Sequence, residues 1–228
     1  MSKSLASKRY ETKFKVTYFN YQEIEYLIKT HPALFYKIYQ ERKINNIYFD
    51  TYDLSSYRDN VEGERDRQKI RIRWYGKTFG TVNNPVLEIK NKRGPLGWKD
   101  RYKIDSFDLP QNGSFAYRKI INSLIKNHGN DLINLKSLRP YLLNNYEREY
   151  FLSKDNKFRI TLDKNMDYFS LVPFSHQLKT FADEESTILE IKYDQIHAED
   201  AENITQMFPN RVTKSSKYVF GIEKIVSW

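Results

Sequence analysis

The chain has 228 residues, 39% of them hydrophobic and 15% aromatic, which is enough to build a sizeable core. A net charge of +9 and a pI near 9.4 point to an anionic partner: nucleic acid, nucleotide, polyphosphate or acidic lipid. The absence of cysteine excludes disulfides and thiolate metal sites. No apolar run reaches the roughly 18 residues needed to span a bilayer. The first nine residues lack the apolar segment of a signal peptide, so a cytoplasmic location is expected.

In chain order, residues 1–8 read as a loose basic tail and residues 9–228 as one domain, with no linker or repeat inside it. Tyr10 to Thr17 is a first strand, with Glu11, Lys13 and Lys15 on one face and Thr12, Phe14 and Val16 on the other. Asn20 followed by Glu23 predicts a helix start, and Tyr21, Ile24, Leu27 and Ile28 continue at helical spacing towards His31 and Pro32. Lys43 to Asp50 is a second strand, and a helical turn is expected around Leu54 to Arg58. Arg67 to Tyr75 alternates most clearly: Lys69, Arg71 and Arg73 point one way, Ile70, Ile72 and Trp74 the other. Pro85 to Asn91 places Val86, Glu88 and Lys90 opposite Leu87 and Ile89, and a turn cluster follows from Gly94 to Gly97. Another strand begins at Lys99, with Lys99, Arg101 and Lys103 in phase.

Ser114 to His128 is an amphipathic helix with its stripe on Tyr117, Ile120, Ile121, Leu124 and Ile125, and Gly129 ends it. In the strand from Arg139 to Leu152, Tyr146, Arg148 and Tyr150 share a face. From Lys157 to Phe169, Arg159, Thr161 and Asp163 lie opposite Phe158, Ile160 and Leu162. Thr187 to Tyr193 sets Glu190 and Lys192 against Leu189 and Ile191. Residues 198–208 suggest a short helix stopped by Pro209, and Ser215 or Ser216 caps a last helix through Val219, Ile222 and Val226.

Nearly every strand thus has one apolar side and one side carrying Lys or Arg, often with Glu. Arg71, Arg73, Arg148 and Arg159 sit at matching central positions, and the guanidinium fork suits bidentate phosphate binding. A closed antiparallel barrel with helices packed outside and a charged interior satisfies this pattern; an open sheet with one basic face for nucleic acid is the weaker alternative. Glu11, Glu88 and Glu190 each stand two residues before a Lys on the same face. Each neutralises a neighbouring cation, or a divalent metal bridges carboxylate and phosphate oxygens; the three together favour the metal. His31, His128, His176 and His197 fall at loops or helix ends, which does not suit a catalytic role.

An ordered set of short motifs carries a resemblance: Glu11-x-Lys13, Tyr48-Phe-Asp-Thr51, Lys69-Ile-Arg-Ile-Arg73, Leu87-Glu-Ile-Lys90, Lys99-Asp-Arg101, Tyr146-Glu-Arg148, Arg159-Ile-Thr-Leu-Asp163, Leu189-Glu-Ile-Lys192 and Ser215-Ser-Lys-Tyr218. Together they resemble the VTC domain, the catalytic domain of the eukaryotic vacuolar polyphosphate polymerase, within the triphosphate tunnel metalloenzymes related to CYTH phosphatases and adenylate cyclases. The resemblance implies an α+β fold, mainly antiparallel, closed as a tunnel of about eight strands. It implies transfer of the ATP γ-phosphoryl group to polyphosphate with Mn2+ or Mg2+; neither a nucleic-acid partner nor a membrane span is expected. By position it implies phosphate-binding roles for Lys13, Arg71, Arg73, Lys90, Lys99, Arg148, Arg159 and Lys217. Tyr146, Lys192, Lys214 and Ser216 are implied supporting contacts, Glu190 the principal metal ligand, and Glu11 and Glu88 secondary ones. One departure matters: Arg9 stands where the hydrolytic relatives place the first Glu of a Glu-x-Glu-x-Lys strand, which favours the polymerase branch. The alternatives are a metal-dependent tripolyphosphatase or nucleoside triphosphatase of the same fold, and a non-catalytic polyphosphate-binding module.

Overall fold

The computed structural model describes residues 9–17, 19–94, 96–172, 178–208, 213 and 215–225. The elements in order are β1 (Arg9–Val16), α1 (Tyr21–Lys29), β2 (Tyr36–Asp50), α2 (Ser55–Glu62), β3 (Asp66–Tyr75), β4 (Gly80–Val82), β5 (Val86–Arg93), β6 (Leu96–Lys103) and β7 (Phe107–Leu109). There follow α3 (Tyr117–His128), a 3-10 segment (Gly129–Ser137), β8 (Arg139–Leu152), β9 (Phe158–Ser170), β10 (Thr180–Asp183), β11 (Thr187–Asp194), α4 (Ala198–Thr205) and α5 (Lys217–Ile225). The hydrogen-bonded strand order is β1-β11-β9-β8-β2-β3-β5-β6, with β10 on β9 and a separate β4-β7 pair. The pairs β1-β11, β11-β9, β2-β3, β3-β5 and β5-β6 are all antiparallel. An antiparallel, mainly β fold with a few helices is therefore present. The expected closure is not part of this ladder, which begins at β1 and ends at β6 among the described residues. No helix among the described residues is long and apolar enough to cross a membrane.

The single domain expected from composition is distributed over two compact units. One comprises residues 1–42, 146–166 and 183–215; the other comprises 43–145, 167–182 and 216–228. The chain passes between them inside β2, β8, β9 and β10 and again between Ser215 and Ser216.

In the first unit the core is built by the apolar faces of β1, β9 and β11 with α1 and α4: Phe14, Val16, Ile24, Ile28, Ile160, Leu162, Leu189, Ile191, Ala201 and Ile204. Asn20 opens α1 through a full capping box: Glu23 N–H donates to Asn20 Oδ1 at 2.9 Å, and Asn20 N–H donates to Glu23 Oε2 at 2.8 Å. His31 is part of this packing. Its Nδ1 accepts from Ala33 N–H at 3.0 Å, its Nε2 lies 3.3 Å from the Ile204 carbonyl, and burial lowers its pKa.

In the second unit Ile47, Phe49, Ile70, Ile72, Trp74, Leu87 and Ile89 meet Ile121 and Leu124 of α3. Helix α3 starts at Tyr117 rather than Ser114 and ends at Gly129, whose φ of +77° favours glycine. Ser216 heads α5, accepting from Val219 N–H at 3.4 Å. Strand β6 begins at Leu96, so the expected turn cluster shrinks to a tight hairpin in which Arg93 faces Leu96. Lys214, Pro95, His176, Pro209, Val226 and the basic tail lie outside the described residues.

Candidate functional site

The polar faces opposite the two cores carry two charged clusters, one in each unit. In the second unit the antiparallel registers put like-facing residues in rows. Lys69, Lys90 and Lys99 oppose one another across β3, β5 and β6; Tyr48, Arg71, Glu88 and Arg101 form the next row; Asn46, Arg73 and Val86 form the third. Directly opposed like charges are unfavourable unless an anion sits among them.

Glu88 is that anion. It is buried, and its two oxygens are shared by four cations: Arg71 Nη2 at 2.6 Å and Arg73 Nη1 at 3.6 Å from Oε2, Arg101 Nε at 3.2 Å and Lys99 Nζ at 3.4 Å from Oε1. Burial alone would raise the Glu88 pKa, but the charges of Arg71, Arg73 and Lys99 outweigh it and hold the carboxyl well below its usual range. Lys99 responds the other way. Burial, then repulsion from Arg71, Arg73 and Arg101 against the pull of Glu88, pushes its pKa down to about 8. Four cations around one carboxylate leave positive charge in excess, which suits a polyanion.

The other contacts fix the cations in place. Arg73 Nε donates to Asn46 Oδ1 at 2.9 Å, and Asn46 is held in turn by Asn144. Arg71 lies over the Tyr48 ring, which stacks on Tyr218 at 5.1 Å. Lys69 Nζ donates to Ser216 Oγ at 3.0 Å. Lys217 is the first residue of α5 and half-buried; Lys90 is exposed at the β5 end of its row.

The first unit has a different balance. Across β1, β11 and β9 the rows run Glu11, Lys192, Arg159, then Lys13, Glu190, Thr161. Thr161, Asp163 and Glu190 are buried although they lie on the face away from the core. Arg148 Nη2 donates to Asp163 Oδ2 at 2.7 Å while its Nε donates to Oδ1, so the fork is taken by a carboxylate. Burial would lower the Arg148 pKa, but Asp163 outweighs it and raises it. The same Nη2 is 3.9 Å from Glu190 Oε2, and the Arg148 guanidinium lies 5.2 Å from the centre of the buried Tyr146 ring.

Lys192 Nζ is 2.9 Å from Glu190 Oε1 and 3.4 Å from Glu11 Oε1, and Lys13 Nζ is 3.8 Å from the same Glu11 oxygen. These contacts join three cations, Lys13, Arg148 and Lys192, to three carboxylates, Glu11, Asp163 and Glu190. Arg159 is exposed at the edge of the group.

The two clusters differ in what they can hold. Among the described residues no three His, Asp or Glu side chains converge as a ready-made metal cage. Magnesium-type ions, however, often take only one or two carboxylates together with phosphate oxygens. Glu190 fits that role: it is buried, and its Oε1 accepts no hydrogen bond despite the nearby ammonium. Glu11 stands beside it through their shared contact with Lys192. Glu88 fits less well, because both its oxygens already accept hydrogen bonds, Oε2 from Arg71 and Oε1 from Lys99 and Arg101; it is the counter-charge of the basic cluster.

Asp163 in the first unit and Arg101, Asn46 and Lys69 in the second join the clusters without a place among the expected site residues. Arg101 was in phase with Lys99, and that was the available signal. For Asp163 the signal was its phase with Arg159 and its place in the Arg159-Ile-Thr-Leu-Asp163 motif.

The profile of the VTC domain family matches residues 8–226. Subunit 4 of the vacuolar transporter chaperone complex of Schizosaccharomyces pombe is 27% identical over 187 residues, which is 69% of this chain and 26% of that protein. The chain thus spans about a quarter of that relative's length. Among solved structures, a Pyrococcus horikoshii OT3 protein superposes with a TM-score of 0.51 at 16% identity, over 94% of this chain and 99% of its own. A candidate adenylate cyclase from Bacillus halodurans gives 0.52 at 12% identity, over 97% of each chain. At such identities these structures speak for the fold alone. The motifs, the two ordered polar faces and the profile match across nearly the whole sequence lead to one assignment: the chain belongs to the VTC domain family.

Proposed function

We propose that this chain makes polyphosphate, transferring the γ-phosphoryl group of ATP to inorganic phosphate or to the end of a growing polyphosphate. The observation that carries the reading is the excess of cations around the single buried carboxylate of Glu88. Family membership supports it, as does the relative named for a transporter chaperone complex. The closed tunnel implied by the resemblance belongs to the same proposal, supported by the burial of Asn46, Glu88, Thr161, Asp163 and Glu190 on those polar faces.

In this reading the phosphates are held by Arg71, Arg73, Lys99 and Arg101, with Lys69 and Lys90 extending the row. An acceptor phosphate oxygen attacks the γ-phosphorus, the bond to the β-γ bridging oxygen breaks, and ADP leaves with that electron pair. Little covalent help from the protein is needed; positioning and charge neutralisation lower the barrier. Arg148 is kept in register by Asp163 and borders Glu190. Glu190, with Glu11 beside it, is the carboxylate that would hold Mn2+ or Mg2+. When bound, the ion neutralises phosphate oxygens and polarises the transferred group.

The test is incubation with ATP and Mn2+, resolving products by size. Long-chain polyphosphate supports the proposal. Orthophosphate alone makes the protein a hydrolase, and tight metal-independent polyphosphate binding without turnover makes it a binding module. Arg71→Ala with Arg73→Ala should abolish turnover in a folded protein, and an active double variant would remove the basic cluster from the site.

A further inference from the structure

Glu190 and Lys192 stand two residues apart on β11 and share its polar face. The Lys192 ammonium lies 2.9 Å from Glu190 Oε1, the same oxygen that accepts no hydrogen bond. It also lies 3.4 Å from Glu11 Oε1, and Glu11 faces Lys192 directly across the β1-β11 ladder. The other Glu190 oxygen is 3.9 Å from Arg148, whose fork is occupied by Asp163. An ion held jointly by Glu190 Oε1 and Glu11 Oε1 would stand where the Lys192 ammonium already is. An ammonium and a divalent ion cannot both occupy that position, since like charges repel at a few ångströms.

We propose that Lys192 is a resident cation that keeps the Glu11–Glu190 site closed to divalent ions until an anion draws its ammonium away. The inference rests on the reading above in which Glu190 is the metal-holding carboxylate. Lys192 is suited to moving: its side chain is 36% exposed and its charge rides on a flexible four-carbon stem. Glu190, at 7% side-chain exposure, is held in the sheet and cannot follow it. A phosphate oxygen is a competing partner for the ammonium, so anion arrival uncovers the carboxylate for the ion. The two ligands then bind with positive coupling, and neither site need be complete alone. This differs from the supporting phosphate contact that the family resemblance implies for Lys192, because it gives the residue a role before any phosphate is present.

The experiment titrates the full chain with Mn2+ in phosphate-free buffer, reading free Mn2+ by electron paramagnetic resonance. Wild type is compared with Lys192→Met and Lys192→Gln, each with and without Glu190→Gln. The expected result is Mn2+ binding about tenfold tighter in both Lys192 variants, within the usual range of site coupling, with the gain lost when Glu190→Gln is added. Wild type binding Mn2+ as tightly as Lys192→Met, in a manner still weakened by Glu190→Gln, overturns the proposal and leaves the metal assignment standing. A gain that survives Glu190→Gln, or no binding in any variant, overturns the metal assignment and the proposal together.

Discussion

Arg148 gives its guanidinium fork to Asp163, with Nη2 donating to Oδ2 at 2.7 Å and Nε to the other oxygen, on a carboxylate that is wholly buried. The pair joins β8 to β9 on the polar face and points the arginine towards Glu190. Asp163 is thus the main partner of Arg148, whereas Arg71's partner Glu88 is shared among four cations.

Breaking this pair from one side leaves an uncompensated buried charge. Asp163→Ala is expected to lower stability by about 3–5 kcal/mol, measured by urea unfolding. Arg148→Met combined with Asp163→Leu should recover most of that loss, because the desolvated charges are both gone. The same double variant should remain catalytically poor. If Asp163→Ala unfolds at the wild-type urea concentration, the pair is not a stabilising element.

Lys99 gives the basic cluster a pH dependence. Its folded pKa of about 8 lies below the ordinary lysine value of about 10.4. Between the two, the unfolded chain holds a proton that the folded chain does not, so this group makes stability rise with pH from about 8 to about 10.4. Anion binding runs the other way, since only the protonated ammonium attracts phosphate. Tripolyphosphate affinity, measured by calorimetry, should fall as pH rises through about 8. Lys99→Met should bind more weakly at pH 7 and lose this step. A step unchanged in the variant would assign it to another group or to the ligand itself.

The alternation of Lys69 to Trp74 and the Asn20–Glu23 box were legible because both are local. A two-residue period and a four-residue cap need no knowledge of distant chain. The pairing of β1 with β11 was not, since Glu11 meets Lys192 only after almost the whole chain has folded. The first half of β2 was also missed. Tyr36 to Arg42 is almost wholly exposed, so no buried face marks it as strand. Strands β4 and β7 have three residues each, too few to display a period. At the site, the residue types and faces were readable, but which charges meet depends on register. That is why Glu88 reads as a metal candidate in the sequence and as a shared counter-ion in three dimensions.

That distinction is testable with two conservative changes. Glu190→Gln should remove Mn2+ stimulation of ATP turnover, because it removes the carboxylate able to hold the ion. Glu88→Gln should keep the stimulation while weakening turnover, because it leaves Arg71, Arg73, Lys99 and Arg101 without their common anion. Both are read as rate against Mn2+ concentration at fixed ATP. The reverse pattern would move the metal to Glu88.

Helix α5 supplies the last prediction. Lys217 opens it, Ser216 before it receives the Lys69 ammonium, and Tyr218 donates to the buried Asp50 carboxylate. Asp50 also accepts from Ser56 and Tyr57 N–H at 2.9 Å each and so holds the start of α2. The helix comes this close because position 221 is glycine: an added Cβ would stand 2.6 Å from Leu142 Cδ2 and 2.7 Å from Tyr168 Cδ1. Neither neighbour has room to withdraw, since both are buried. Alanine in mid-helix ordinarily gains about 0.5–1 kcal/mol over glycine, but overpacking a filled site costs about 1–3 kcal/mol, and here the clash prevails. Gly221→Ala should therefore unfold at lower urea and bind tripolyphosphate more weakly, as Ser216 and Lys217 shift with the helix. Trimming the obstacle with Leu142→Ala should restore part of the phosphate affinity in the Gly221→Ala background, although it adds a packing defect of its own. If Gly221→Ala alone leaves both measurements at wild-type values, the close approach of α5 does not position the basic cluster.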